Sequence, residues 1–147
     1  MKFSVTNKFL MVGGLIAGLA AIWHLLMIIG GPSWYAFARA PRYIVESARE
    51  GTFVAPAGAV AIALLMLTCA AYAFSGAGLI RKIPLLNLAL PTISFICLVR
   101  GLYFSPVFFS PKVLGVWHLV ASSVWFVVGI CFLLGTFSQL GAKEKTL

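Results

Sequence analysis

Two histidines and one arginine stand where an apolar chain has little ordinary reason to place them. His24 and His118 are the only histidines, and Arg100 is the one formal charge in an otherwise uncharged stretch from Ile83 to Phe104. Trp23 and Trp117 adjoin the histidines, and Tyr103 follows Arg100 by three residues. An imidazole accepts or donates a hydrogen bond, or ligates a metal, and a guanidinium is a fixed fork of donors. Inside lipid such groups are costly and face a cavity or a partner.

Several chemistries suit this set. One is a pocket for a lipophilic molecule with a polar head, a quinone or a lipid, with His24, Arg100 and His118 as hydrogen-bonding groups and Trp23, Tyr103 and Trp117 against the ring or tail. Another is bis-histidine ligation of a haem b by His24 and His118, with Ala21 and Gly115 giving room for the porphyrin. A third is anchoring at the headgroup boundary with no ligand, Arg100 snorkelling outward. A proton relay remains open, while two histidines without a carboxylate or thiolate make a thin metal site. No CxxC, GxSxG, HExxH or Walker pattern occurs, and there are three Glu and no Asp. Carboxylate chemistry would rest on Glu46 or Glu50, which read as solvated or paired with Arg; Glu46 lies four residues from Arg42 and three from Arg49. The reading therefore leans away from an enzyme. Cys69, Cys97 and Cys131 each fall inside a different apolar run and read as small buried hydrophobes.

The elements that must position these groups follow from composition. Of 147 residues, 62% are apolar and 10% charged, with a mean hydropathy of +1.06. Soluble domains carry about 25% charged residues. A soluble enzyme, a coiled coil, a disordered tail and a nucleic-acid module are excluded. The net charge of +8 comes from basic pairs at the ends of apolar runs, such as Arg81 and Lys82, rather than from a nucleic-acid-binding face.

Four uncharged runs, 9–30, 53–80, 83–104 (interrupted by Arg100) and 113–137, suit spans of about 20 residues. Their lengths exclude barrel strands. The fold class is therefore all-α, a four-transmembrane-helix bundle forming one integral membrane domain over residues 1–147. Pro84 suits the first turn of the third helix and Pro91 should kink it. The first run extends past an ordinary signal-peptide core, so it reads as an uncleaved helix. Counting from expected helix centres places His24 roughly 6–8 Å, and Arg100 and His118 roughly 10 Å, toward the same face of the bilayer.

Six basic residues on the side of the termini, against four or five on the other, place both termini in the cytoplasm. The first outer loop holds RYIVESARE between Pro41 and Gly51, a start and a stop for a short interfacial helix. It would cap the bundle or act as a lid. Trp34, Tyr35 and Phe37 before it suit the headgroup zone. Gly14 and Gly18, and Ala55, Ala59 and Ala63, form small-residue seams for tight packing or self-association.

WHLLMIIGGPSW, from Trp23 to Trp34, together with the four-span layout, resembles the DoxX-like group of small bacterial membrane proteins. In that group a polar residue late in helix one precedes a Gly/Pro-containing outer loop, and only His24 matches that position. The resemblance implies a four-helix bundle in the bacterial inner membrane and a quinone-linked or accessory-subunit role. The expected partners are membrane lipids, other membrane subunits or a second copy, and no nucleic acid. The reading is a non-enzymatic accessory subunit or binder of a lipophilic ligand. The alternatives are a haem b redox protein and a purely structural assembly partner.

Overall fold

The computed structural model describes the backbone of residues 5–103 and 111–144 and the side chains of residues 7–103 and 116–137. Within these residues the chain is all-α: α1 (Val5–Gly30), α2 (Pro32–Phe37), α3 (Arg42–Glu50), α4 (Val54–Gly76), α5 (Leu86–Tyr103) and α6 (Pro111–Glu144). Four segments are long and apolar enough to span a bilayer: Asn7–Gly30, Val54–Gly76, Leu86–Tyr103 and Val116–Phe137. The shortest, at 18 residues, is roughly 27 Å long, close to the hydrocarbon thickness. Burial is inverted relative to a soluble protein. Ala55, Ala59, Ala63, Ala70 and Ala73 are buried, whereas Leu64, Leu65, Phe95 and Val116 are exposed. Lipid solvates the large side chains, and small ones let helices approach. These features define a four-span helical membrane protein.

The chain forms two compact units. The first comprises residues 1–16 and 69–147, and so takes in the start of α1, the end of α4, and α5 and α6. Leu10, Ala73, Ala77, Leu90, Cys97, Val128 and Phe132 make its core. Glycines hold these helices together. Gly13 faces Cys131 and Phe132, Gly14 faces Ala73 and Phe74, and Leu10 lies against both Gly76 and Gly135. On α5 and α6, a methyl on Gly101 would sit 2.7 Å from the backbone nitrogen of Phe126, and one on Gly129 2.9 Å from that of Leu98. Ser94 Oγ–H donates to the Gly129 carbonyl at 2.9 Å across the same contact. Of the expected GxxxG pair in α1, Gly14 is a contact and Gly18 has nothing within 4 Å.

The ends of the spans depart from the apolar runs for local reasons. α4 stops at Gly76 rather than Ile80 because Gly78, at φ +78°, closes a Schellman motif. Leu79 N–H reaches the Phe74 carbonyl at 2.9 Å and Gly78 N–H the Ser75 carbonyl at 3.1 Å. Ser75 Oγ then accepts Ile83 N–H at 2.9 Å and donates to the Arg81 carbonyl at 3.3 Å. Leu85 stands at φ +61°, outside helical geometry, so Pro84 lies outside α5 and not in its first turn. α5 runs through Pro91. Phe104, the expected end of that span, lies outside the described residues.

The second unit, residues 17–68, holds the end of α1, α2, α3 and the start of α4. Pro41 caps α3 and Gly51 ends it, the boundaries its sequence carries. The expected single loop helix is preceded by a second one, α2. The turn into α2 passes through Gly31 at φ 67°, ψ −158°, a conformation open to glycine alone. Met27, Tyr35, Ala55 and Ala59 form the core, and the apolar side of α3 (Ile44, Val45, Ala48) packs onto it. Tyr35, expected in the headgroup zone, is buried, and its hydroxyl donates to the Ala55 carbonyl at 3.3 Å.

Buried Ser47 closes the junction of α3 and α4. Its Oγ accepts Ala55 N–H at 3.0 Å and lies 2.6 Å from Thr52 Oγ1. Thr52 Oγ1–H donates in turn to the Ser47 carbonyl at 3.3 Å. Ser47 thus supplies, from the preceding helix, an acceptor that the first turn of α4 lacks.

Candidate functional site

His24 lies on α1, six residues before its end, and is half-buried. Its Nδ1 is 2.7 Å from the Ala20 carbonyl oxygen. A carbonyl only accepts, so Nδ1 carries the proton, and in the tautomer this selects Nε2 is the acceptor nitrogen. The same bond fixes the ring's orientation, as the hydrogen bonds behind ligating imidazoles do. Among the described residues Nε2 has no hydrogen-bond partner.

Next to it in sequence is an aromatic shelf. The rings of Trp23 and Trp34 stack with centroids 5.4 Å apart and planes at 25°. Phe37 meets Trp23 edge-on, at 6.4 Å and 61°. Gly30 makes the shelf possible, because a Cβ there would overlap the Trp34 indole. The α1–α2 turn folds Trp34 back over the helix it has just left, with Trp34 N–H donating to the Gly31 carbonyl at 3.0 Å. Sequence reasoning found His24 and Trp23. It left Trp34 and Phe37 as headgroup aromatics and did not pair them with Trp23, although the glycine pair Gly30–Gly31 signalled a sharp reversal. Burial pushes the Tyr35 phenol in the same unit up from its ordinary pKa.

The other candidate residues belong to the first unit. Arg100 occupies the last turn of α5 and is half-buried, with Nη1 shielded completely. Tyr103 is exposed, and Trp117 and His118 on α6 are half-buried. The Gly101–Phe126 and Gly129–Leu98 contacts fix an antiparallel register in which Arg100 is level with Val127. His118 is nine residues nearer the start of α6 (118 against 127), roughly 13 Å along its axis. The depth count placed Arg100 and His118 at one height. The register, which a count along each helix separately does not contain, offsets them.

Among the described residues no group of three or more His, Cys, Asp or Glu is placed to hold a metal ion. Cys97 and Cys131 are buried and Cys69 is half-buried, all three as free thiols packed among apolar side chains. No family model, curated protein or solved structure matches this chain.

Proposed function

We propose that this is a non-enzymatic protein of the bacterial inner membrane, DoxX-like in layout, with both termini cytoplasmic. It binds a lipophilic ligand through a hydroxyl-bearing head at His24, and so acts as a ligand-holding accessory subunit. One observation carries the reading: the Nδ1–H bond to Ala20 leaves Nε2 as an oriented acceptor within an apolar span. Water is scarce there, so the ligand supplies the donor. The Trp23–Trp34 stack offers a flat apolar surface close by in the chain, suited to a ring-bearing head such as a quinol. An oxidised quinone has no hydroxyl to give, so the reduced form is the better ligand. The excess of basic residues on the side of the termini supports the orientation.

The experiment is a titration of purified protein with a short-chain quinol and its quinone, followed by tryptophan quenching. Quinol binds more tightly than quinone, and His24→Leu weakens quinol by about tenfold, the loss of one hydrogen bond in an apolar setting. Equal binding of both forms, or none, removes the reading. A Soret band in the purified protein, lost in His24→Leu and in His118→Leu, replaces it with haem ligation.

A further inference from the structure

The segment joining α1 to α4 leaves the bilayer after Gly30 and must re-enter it at Val54. It therefore lies in the headgroup layer. Its apolar side is occupied, since Ile44, Val45 and Ala48 pack against Met27, Tyr35, Ala55 and Ala59. Its exposed residues include three arginines, Arg39, Arg42 and Arg49, and three aromatics, Trp34, Phe37 and Tyr43, beside Glu46 and Glu50.

Two features single out its first half. Arg39 stands at φ +55°. It fills the C′ position of a Schellman motif closing α2, with Arg39 N–H on the Ala36 carbonyl and Ala40 N–H on the Tyr35 carbonyl, both at 3.0 Å. Glycine is the ordinary residue there, and a side chain in that conformation is strained. A guanidinium-bearing residue stands where the backbone favours glycine. Pro41 then stiffens the turn, and Arg42 opens α3 on its far side. The acidic residues of the segment, Glu46 and Glu50, stand later in α3 and are exposed. Among the described residues no ion pair joins Glu46 to Arg42, although the two are four apart.

Two guanidiniums flanking a rigid turn, with Phe37 and Tyr43 exposed on either side, match a phosphate carrying acyl chains. Guanidinium forks recognise phosphate oxygens, and aromatic rings settle at the boundary between headgroups and tails. We infer that the Arg39–Arg42 turn is a binding site for the phosphate of an anionic membrane phospholipid. The site is separate from His24 and holds whether or not a ligand binds there.

The test is native mass spectrometry of the full chain in detergent, titrated with phosphatidylglycerol. Arg39→Gly and Arg42→Gln each reduce lipid retention about fivefold, the effect of removing one cationic contact near a membrane surface. Arg39→Gly also leaves the thermal midpoint unchanged or raises it, because it relieves the backbone. The double variant Arg81→Gln with Lys82→Gln, on another loop, retains lipid as the parent does. Unchanged retention in both arginine variants overturns the site, as does equal loss in the Arg81/Lys82 variant. A lowered midpoint in Arg39→Gly assigns Arg39 to structure instead. Displacement of the lipid by millimolar inorganic phosphate assigns the turn to free phosphate.

Discussion

The two units meet the same solvent problem differently. In the first, helices touch through glycine, and Gly13, Gly14, Gly76, Gly101, Gly129 and Gly135 all face atoms of another helix at close range. In the second, alanines line the core, and Tyr35, Ser47 and Thr52 bond to backbone where helices begin and end. Between lipid-solvated helices no hydrophobic force favours contact, so attraction grows with closeness and every added methyl counts. Where the chain turns, unpaired N–H and C=O groups have little water to meet, so every removed polar atom counts. The first unit should therefore fail by added volume and the second by lost hydrogen bonds.

The largest effect tests the first half of that contrast. Gly101→Ala or Gly129→Ala sets a methyl against backbone atoms of the facing helix, which cannot move aside as a side-chain tip can. Each should lower stability by about 3 kcal/mol, read by unfolding in mixed micelles. Gly58→Ala, in the second unit, has nothing within 4 Å of the new methyl. It should be neutral or stabilise by up to about 1 kcal/mol, the helix propensity gain. A comparable penalty at Gly58 would break the comparison.

The second half is tested at Ser47. Ser47→Ala strands Ala55 N–H, while Thr52 Oγ1 keeps its bond to the residue-47 carbonyl, and should cost about 2 kcal/mol by the same assay. Ser75, in the first unit, sharpens the contrast. It too accepts a backbone N–H eight residues ahead, Ile83 for Ser75 as Ala55 for Ser47. Ser75→Ala should cost about 1–2 kcal/mol. If so, the dividing line runs between the middles of helices and their ends. If Ser75→Ala is silent, it runs between the units.

How much of this was legible depended on whether the cause was local. Pro41 and Gly51 mark α3 because capping acts within a few residues, and the apolar runs mark the spans because lipid acts on each helix alone. The early stop of α4 lay inside an unbroken apolar run with only Gly78 to signal it, and the late start of α5 was hidden because nothing in the type of Leu85 announces its φ of +61°. Spacing put Gly14 and Gly18 on one face of α1 but could not say that only Gly14 has a neighbour. The candidate site was legible by residue type in His24 and Trp23. The depth of Arg100 relative to His118 was not, because it depends on how α5 and α6 register. The His24 tautomer was not, because it depends on one side chain–backbone bond.

A smaller effect bears on the second unit through pH. Burial raises the Tyr35 phenol above its unfolded pKa. The stability this contributes is fully present below about pH 10, the unfolded value, and is lost as pH rises through the folded one. Tyr35→Phe should remove that alkaline loss and cost about 1 kcal/mol at neutral pH for the bond to Ala55. Melts of both proteins from neutral to alkaline pH check this. The two proteins differ at residue 35 alone, so the difference between their profiles belongs to Tyr35. Parallel alkaline losses would show that the phenol is not shielded.

Ser94 should give the smallest effect, and it is the one that separates close approach from hydrogen bonding. Its Oγ–H bond to Gly129 spans α5 and α6 at the point where Gly129 meets Leu98. Bonds between spans contribute about 0.6 kcal/mol on average, because the separated helices also find partners for the same groups. Ser94→Ala keeps a small side chain at the contact and removes only the bond, so it should cost about that much in the same assay. Ser94→Val keeps the polar loss and adds volume at a buried position, and should approach the effect of Gly129→Ala. If Ser94→Ala were as damaging as Ser94→Val, the first unit too would be held by its hydrogen bonds, and glycine would only be what lets the donor reach its carbonyl.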